Sequence, residues 1–341
     1  MPAKPLLSVL LGECIDPPPV WFMRQAGRYL PEYRALRAEK GGFLALALDS
    51  KAAAEITLQP IRRFGFDGAI LFSDILIVPM AMGQTLTFTA GEGPQLAPAL
   101  ADGSTAGLTA DHAVFDAVYA TVRGVVRRLP PQITMLGFAG SPWTVATYMV
   151  AGEGSKNQAA ARSLAYRDPA GFARLVDAIV AATARYLVGQ IDAGVDAVQL
   201  FDSWSGSLAP DEFARWVIAP TRAIVEQVKA VHPATPIIGF PKGAGAKLVR
   251  YAAETGVDAV GLDETVDPHW AASALPHGMP VQGNLDPLLL LSGGERLTAT
   301  VVNIRRALAG RPHVFNLGHG IDKETPIAHV EAALAAVRQP L

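Results

Sequence analysis

The sequence has little of what a disulfide-bonded secreted protein or a nucleic-acid-binding protein needs. It has one cysteine, Cys14, in 341 residues, so no disulfide can form within the chain, and this fits a reducing compartment. Its 29 basic and 31 acidic residues leave a formal net charge of −2, so there is no overall basic field to attract a phosphate backbone. An anionic ligand would therefore have to be bound by a local cluster of cations.

Hydrophobic segments of the kind that cross a membrane are also missing. The longest uncharged stretch, residues 129–152, contains three prolines and three glycines, which favour a strand, a turn and a helix start. The first residues, MPAKPLLSVLLGEC, have an apolar run of only minimal length for a signal peptide, with Glu13 where a small residue is expected. We predict a short helical extension at about residues 1–16, no membrane insertion and a cytoplasmic location.

What the sequence does contain is one repeated unit, in which a short apolar run stops at a polar or charged residue and a helical pattern follows. Half of the residues are hydrophobic, which is enough to bury a large core. Nearly continuous apolar runs are typical of strands buried on both faces, as in parallel sheets. Eight such runs begin at residues 20, 69, 134, 197, 236, 259, 280 and 313.

Eight strand-then-helix units predict an α/β fold, a (β/α)8 TIM barrel, with a doubly wound open sheet as the alternative. Residues 170–194 show the helical period between two runs and end at Gly194, a helix stop signal. No linker or charge block divides the chain, so we expect residues 1–341 to form a single barrel domain. The early runs are spaced more widely than the late ones, which predicts extra helices and loops over the first three units.

In such a barrel the chemistry lies where the strands end, on the loops that lead into the helices. The ends of the eight runs carry polar side chains, which we expect to form one ring around a single mouth: Arg24, Arg28, Ser73, Asp74, Ser141, Asp202, Ser203, Lys242, Asp263, Glu264, Asn284, Asp286, Asn316 and His319.

Arg24 and Arg28 are candidates for an anion site. If the segment becomes helical after Arg24, the spacing of four places both side chains on one face. A guanidinium binds a carboxylate through a planar two-pronged contact that lysine cannot copy. A pair of surface arginines in salt bridges is the alternative, but the end of a barrel strand favours an anion site.

Four further residues each have a functional and a structural interpretation. Asp74 is alone among apolar residues, and a buried carboxylate needs a partner, donors or a ligand, although it could also cap the next helix. His319 lies between two glycines, which allow the backbone to approach a ligand closely, but a structural histidine is equally compatible. Ser203 could contact a substrate or cap a helix, and Tyr148 could be a core phenol with a polar partner.

Several familiar motifs are incomplete or absent. KGAGAK at residues 242–247 resembles a phosphate loop but lacks the Gly-Lys-Ser/Thr ending, so it is a weak anion site at most. There is no G-x-S-x-G elbow, and no GxGxxG follows the first run. The seven histidines are scattered, and a thiolate zinc site needs more than Cys14.

Two stretches resemble the signature segments of the uroporphyrinogen decarboxylase family: PVWFMRQAGRYLPEYR from residue 19 and GFAGSPWTVATYMVAG from residue 137. ILFSDIL, LFDSW and NLGHGI follow in the order expected for that family, so the resemblance covers nearly the whole chain. It implies a (β/α)8 barrel, usually a homodimer, that acts in haem and tetrapyrrole biosynthesis without a metal or organic cofactor. The implied reaction removes the carboxyl groups of the four acetate side chains of uroporphyrinogen III and gives coproporphyrinogen III.

The resemblance also implies roles for individual residues. Arg24, Gln25, Ala26, Gly27 and Arg28 would form a substrate-binding segment, and Asp74 would contact the pyrrole N–H groups at the centre of the macrocycle. Tyr148, Ser203 and His319 would complete the polar contacts, with Phe138 and Phe201 as apolar walls. Asp74, Arg24, Arg28, Tyr148 and His319 are the expected catalytic residues.

The chemistry can be argued separately from the resemblance. Loss of carbon dioxide leaves an electron pair that needs a sink, and a pyrrole protonated on carbon can serve as one. An ionised Asp74 that accepts pyrrole N–H bonds in a dry pocket would stabilise that cation. The proton donor stays open between His319, Tyr148 and a bound water, because arginine is essentially always charged and is a poor acid. At least one arginine is expected to hold spectator carboxylates.

Two other functions compete with this interpretation. A zinc-dependent methyltransferase acting on corrinoids or thiols would need a His/Cys ligand set, whereas Cys14 precedes the first run and has no second cysteine beside it. A protein that carries tetrapyrroles without transforming them is the other possibility, and the polar ring with Asp74 favours catalysis over it.

Overall fold

The computed structural model describes residues 3–89 and 93–341, and its main sheet is the wall of a barrel. Within those residues, seven parallel strands lie side by side in the order β1-β4-β5-β6-β7-β8-β9, and β2 and β3 form a separate antiparallel hairpin. The strands are β1 (Gly68–Ile70), β2 (Thr85–Thr89), β3 (Gly93–Ala97), β4 (Thr134–Gly140), β5 (Ala197–Asp202), β6 (Ile237–Pro241), β7 (Ala259–Gly261), β8 (Val281–Leu285) and β9 (His313–Leu317).

The first apolar run occupies the eighth position, between the two outer strands of this sheet. Val20 forms a parallel bridge with Phe315 of β9, and the Phe315 N–H donates to the Pro19 carbonyl at 2.9 Å. On the other side the N–H of Asp67, next to β1, donates to the Val20 carbonyl at 2.9 Å. The predicted (β/α)8 fold is therefore confirmed, but the first run supplies an isolated bridge rather than a regular strand, because the chain turns away at Met23.

The helices follow the strands around the barrel, with additional ones near the first units as predicted. Many of them start with proline, whose fixed φ suits the first helical position. They are α1 (Pro5–Leu10), α2 (Pro31–Lys40), α3 (Phe43–Leu48), α4 (Ser50–Phe64), α5 (Ile77–Ala81), α6 (Val114–Val126), α7 (Pro142–Ala151), α8 (Ala159–Arg167), α9 (Pro169–Ala193), α10 (Pro210–Phe213), α11 (Ala219–Val231), α12 (Lys247–Glu254), α13 (Pro268–Ala274), α14 (Pro287–Ser292), α15 (Glu295–Ala307) and α16 (Ile327–Arg338), with a 3₁₀ turn at Ser205–Ser207 and a π-helical turn at Ala214–Ile218.

Two predictions about segments can be compared directly with these bounds. The uncharged stretch 129–152 forms β4 and α7, and in the described part of the chain no helix is both long and apolar enough to cross a membrane. The N-terminal extension contains α1, although residues 1–2 lie outside the described residues. The N–H of Leu7 donates to Thr134 Oγ1 at the start of β4, so α1 packs at the end of the barrel where the strands begin.

A buried polar layer crosses the barrel interior below the strand ends. Gln282 on β8 donates to the side-chain oxygen of Gln199 on β5 at 3.1 Å and accepts from Trp21 Nε1 at 2.9 Å. All three side chains are fully buried. This layer ties the first segment to opposite strands, and the residues that follow it along each strand reach the open mouth.

Candidate active site

Arg24 and Arg28 lie on a loop of consecutive turns rather than on a helix. The Gln25 N–H donates to Phe22 O at 2.9 Å, Arg24 has a left-handed φ of 60°, and α2 begins only at Pro31. The condition for placing both side chains on one helix face, a helix directly after Arg24, is therefore not met. Both arginines are exposed, so their guanidiniums are free to meet a ligand at the rim.

Gln25 holds this loop against the barrel. Its Nε2 donates to the Gly68 carbonyl at 2.9 Å, its Oε1 accepts from the Phe22 N–H at 3.1 Å, and its own carbonyl accepts from the Tyr29 hydroxyl at 2.8 Å. The side chain is fully buried, so it fixes the loop and is not presented at the mouth. Ala26 and Gly27, which are half-buried, continue the same loop.

Asp74 is half-buried in the turn between β1 and α5. Its Oδ1 accepts from the Leu76 N–H at 2.8 Å, so one oxygen does help to arrange the start of α5, as the structural alternative proposed. Within residues 3–89 and 93–341 its Oδ2 accepts no hydrogen bond. Burial raises the pKa of Asp74, and the Leu76 hydrogen bond and the charge of Arg24 oppose that rise.

Tyr148 on α7 lies close to the same two charges. Burial raises the pKa of its phenol most, and a hydrogen bond with the Trp204 side chain lowers it. The charge of Asp74 raises that pKa and the charge of Arg24 lowers it. Tyr148 is therefore a neutral hydroxyl within the electrostatic reach of both Asp74 and Arg24.

His319 completes the cluster on the loop after β9. Its ring stacks on Phe240 with centroids 6.4 Å apart. Burial, followed by the charges of Arg24 and Lys242, lowers the pKa of His319 to about 3, with a smaller opposing effect from Asp263. The imidazole is consequently neutral near pH 7, and its Nδ1 is buried without a partner among the described residues.

An aromatic wall lines one side of the mouth. Phe138 on β4 meets Phe201 on β5 edge-to-face at 5.5 Å, and Phe201 meets Phe240 on β6 at 6.0 Å. The predicted walls Phe138 and Phe201 are thus adjacent. Phe240 was missed, although its position in the run from residue 236 matches that of Phe201 in the preceding run, and the two are in register.

The loop after β5 holds Ser203 and an unpredicted neighbour, Trp204. Ser203 is half-buried and does not cap the following 3₁₀ turn, so the capping alternative is not supported. Trp204 forms a hydrogen bond with Tyr148. It is the last residue of the motif LFDSW, but the sequence analysis assigned it no role. Asp202 is fully buried, and its Oδ2 has no partner in the described part of the chain.

Several of the polar side chains that were predicted to surround the mouth form hydrogen bonds within the protein instead. Asp263 accepts from the Gly243 N–H at 2.7 Å, and Asn284 donates to the Asp263 carbonyl at 2.8 Å. Asn316 Oδ1 accepts from the Met23 N–H at 2.9 Å, and Asp286 caps α14 from an exposed position. These side chains tie the loops around the mouth to one another because the loop backbones leave N–H and C=O groups unpaired there.

The remaining ring members also have internal contacts or are enclosed. The Ser73 hydroxyl lies 3.4 Å from the Tyr186 hydroxyl, and Ser141 Oγ is buried without a partner among the described residues. Lys242 pairs with Glu264. At the other end of KGAGAK, Lys247 donates to the Leu208 carbonyl at 2.8 Å, so that ammonium is not presented to an anion.

Comparison with known proteins gives a consistent result over the whole chain. The family model described as "Uroporphyrinogen decarboxylase (URO-D)" matches residues 1–340. A protein of Rhizorhabdus wittichii with the name uroporphyrinogen decarboxylase is 70% identical over 335 residues, covering 98% of this chain and 97% of its own length. One of Sphingopyxis alaskensis with the same name is 65% identical, covering 98% of each chain.

The solved structure of a methyltransferase from Methanosarcina mazei is similar in fold, with a TM-score of 0.82 over 97% of this chain and 96% of its own. Its sequence identity is 18%, so this likeness shows the fold alone. Within the described residues, no three His, Cys, Asp or Glu side chains are grouped in a way that could hold a metal ion.

Proposed function

We propose that this chain, which belongs to the uroporphyrinogen decarboxylase family, carries out the family's carboxy-lyase reaction at the mouth formed by Arg24, Asp74, Tyr148 and His319. The reaction removes the four acetate carboxyl groups of uroporphyrinogen III and gives coproporphyrinogen III, a step of tetrapyrrole and haem biosynthesis. One observation supports this placement most: four residues far apart in sequence share one electrostatic environment. The charge of Arg24 acts on all three other groups, since it opposes the burial that raises the pKa of Asp74 and of Tyr148 and adds to the burial that lowers the pKa of His319.

Asp74 is proposed to stabilise the cationic pyrrole. Oδ1 is held by Leu76, which orients the carboxylate, and Oδ2 remains available to accept pyrrole N–H bonds. The pyrrole becomes positively charged when it is protonated on carbon, so an ionised Asp74 interacts more strongly with that state than with the neutral ring. One such contact contributes about 3 kcal/mol, or roughly a hundredfold in rate.

Arg24 and Arg28 are proposed to bind substrate carboxylates at the rim. Both are exposed on a loop that Gln25 fixes, so they are presented from a rigid element. The protein has a net charge of −2 and no overall attraction for an octa-anion, so local guanidiniums must supply it. Phe138 and Phe201 would face the apolar ring of the same ligand, and the fully buried Phe240 would support Phe201 and His319 from below.

The proton donor is proposed to be Tyr148 or a bound water rather than His319. With its pKa lowered to about 3, His319 is almost never an imidazolium near pH 7, and only the charged form would be a strong acid. We therefore propose that His319 acts as a neutral hydrogen-bonding group. Tyr148 and a bound water remain as donors, and Tyr148 is protonated because burial raises its pKa.

We also propose that residues 1–341 form one domain and that the protein is a cytoplasmic homodimer. Its partner is a small-molecule substrate, with neither nucleic acid nor membrane insertion involved, and it uses no metal or organic cofactor. The family resemblance supports the dimer and the cofactor-free reaction, and the near-neutral charge argues against nucleic acid. The single, exposed Cys14 fits a reducing compartment.

The test is anaerobic incubation of the purified protein with uroporphyrinogen III and a chelator, followed by oxidation and chromatographic counting of carboxyl groups. Stepwise loss from eight carboxyls to four is expected. Recovery of unchanged substrate from folded protein that binds it would instead identify a tetrapyrrole carrier.

Asp74→Asn and Asp74→Ala test the assignment of the carboxylate. The turnover number should fall at least roughly a hundredfold while affinity for uroporphyrinogen stays within about tenfold, since the carboxylate acts mainly on the cationic state. A variant that lost binding and kept its turnover number would contradict the catalytic role.

A further inference from the structure

The loop that carries His319 is held between two charged residues. Gly318 packs against the backbone of Glu264, where a Cβ would lie 2.6 Å from the Glu264 Cα. Gly320 packs against the side chain of Arg24, where a Cβ would lie 2.8 Å from the Arg24 Cγ. His319 therefore has Arg24 on one side and Glu264 on the other.

Glu264 brings a second cation to that other side. Lys242, which follows β6, donates from Nζ to Glu264 Oε1 at 2.8 Å, and both side chains are 24% exposed. The Lys242 backbone is fixed, since its N–H donates to Asp202 O at 3.0 Å and its carbonyl accepts from Ser205 Oγ at 2.9 Å. The charge of Lys242 reaches the site, because it lowers the pKa of His319 just as Arg24 does.

We propose that Lys242 is a further substrate-binding residue, which receives a tetrapyrrole carboxylate across His319 from Arg24 while Glu264 orients its ammonium. This inference rests on the proposed function. An ammonium has three N–H donors, and Glu264 uses one of them in the described structure, so donors remain for a ligand.

The distribution of carboxylates on uroporphyrinogen explains why a cation is needed at the position of Lys242. Eight carboxylates are distributed around the edge of a flat ring, whereas Arg24 and Arg28 lie on one short loop and can reach only one part of that edge. Lys242 lies on a different strand end, beyond His319, and so reaches another part. Without Lys242, Glu264 would be an unpaired anion facing an anionic substrate, and its Oε2 is already buried without a partner among the described residues.

Lys242→Gln and Glu264→Gln, singly and together, test this arrangement through kcat and KM for uroporphyrinogen III at two salt concentrations. We expect Lys242→Gln to raise KM about tenfold, the equivalent of one lost charge-assisted contact, with a smaller change in kcat. The dependence of KM on salt should weaken as well. Adding Glu264→Gln should recover part of the loss, because it removes the exposed negative charge.

Lys229→Gln is the matched control. Lys229 donates to Asp258 Oδ1 at 3.0 Å with a side-chain exposure of 23%, and Asp258 immediately precedes β7, at the end of the barrel away from the mouth. This variant also removes a lysine–carboxylate pair, and its KM should stay at the wild-type value. Lys242→Arg, which keeps the charge but not the shape of the ammonium, should raise KM less than Lys242→Gln does.

An unchanged KM in folded Lys242→Gln, or an equal rise in Lys229→Gln, would overturn the inference while leaving the proposed function intact. If Lys242→Gln does not fold, Lys242→Met decides in its place, because it keeps the apolar stem and removes the charge: KM should again rise about tenfold, and an unchanged KM counts against Lys242. Absence of decarboxylation by the wild-type protein would be a failure of the proposed function instead.

Discussion

The hydroxyl of Thr144 donates to Oδ1 of Asp202 at 2.5 Å, and this hydrogen bond joins the first turn of α7 to the end of β5. The same hydroxyl oxygen accepts from the Trp204 N–H at 3.1 Å, and Trp143 Nε1 donates to the Trp204 carbonyl at 3.1 Å. Both backbone groups of Trp204 are thus held by α7, which also carries Tyr148 one turn later. A buried pair outside the mouth thereby positions two residues that line it.

Thr144→Val should therefore reduce both stability and turnover. The change keeps the shape of the side chain but removes the donor to Asp202 and the acceptor for Trp204, which costs about 1–3 kcal/mol of unfolding free energy. Urea unfolding and kcat measure the two effects. Thr144→Ser keeps the hydroxyl and should restore both, and a valine variant equal to wild type would show that the pair has no positioning role.

Asp202 should make the protein less stable as the pH rises. Burial raises the pKa of Asp202 from 3.8 to about 7, so between these values the folded chain keeps a proton that the unfolded chain has released. The contribution of the protonated carboxyl is complete below about pH 4 and is lost as the pH rises through 7. Asp202→Asn should remove this dependence. Its free energy of unfolding at pH 8 should stay near its low-pH value, whereas that of the wild-type protein should fall by a few kcal/mol. Urea unfolding from pH 5 to 8 compares the two proteins, and parallel curves would contradict the assignment.

His319 should have the opposite effect and make the protein less stable as the pH falls. Its pKa is lowered from 6.5 to about 3, so below pH 6.5 the unfolded chain takes up a proton that the folded chain does not. Its contribution to stability is present above pH 6.5 and decreases as the pH falls toward 3. In the folded protein, NMR of labelled histidine should show a neutral His319 ring at pH 5, with His319→Gln identifying its signal. A ring that is charged at pH 5 would reopen its role as an acid.

Gly320 and Gly318 should respond differently to alanine. A Cβ on Gly320 meets the side chain of exposed Arg24, which can move away, so Gly320→Ala should leave thermal stability nearly unchanged and weaken substrate binding. A Cβ on Gly318 meets the backbone of Glu264, which cannot move freely, so Gly318→Ala should cost about 1–3 kcal/mol of stability. Calorimetry and KM together separate the two, and similar melting temperatures for both variants would contradict this distinction.

Much of the fold was predictable because the strands of a parallel barrel are buried on both faces and therefore read as apolar runs. The run from residue 170 predicted a helix ending at Gly194, and α9 ends at Ala193 with Gly194 in a left-handed conformation. The apolar run from residue 20 differs from the prediction only in its secondary structure. Its apolar character reflects burial, but Val20 and Trp21 reach only an isolated bridge before the chain turns.

The sequence by itself determined the order of strands and helices, because apolar runs and helical periods are local patterns along the chain. It also placed Arg24, Asp74 and His319 at strand ends, since each follows the end of such a run. Only the tertiary structure decided which polar side chains at the mouth are available to bind a ligand. Asn316 and Gln25 are used to satisfy backbone groups of neighbouring loops, whereas Lys242 is brought to His319 from a different strand. The neutrality of His319 was likewise invisible in sequence. A pKa depends on burial and on the distance to other charges, and both arise only when separate strand ends meet at one mouth.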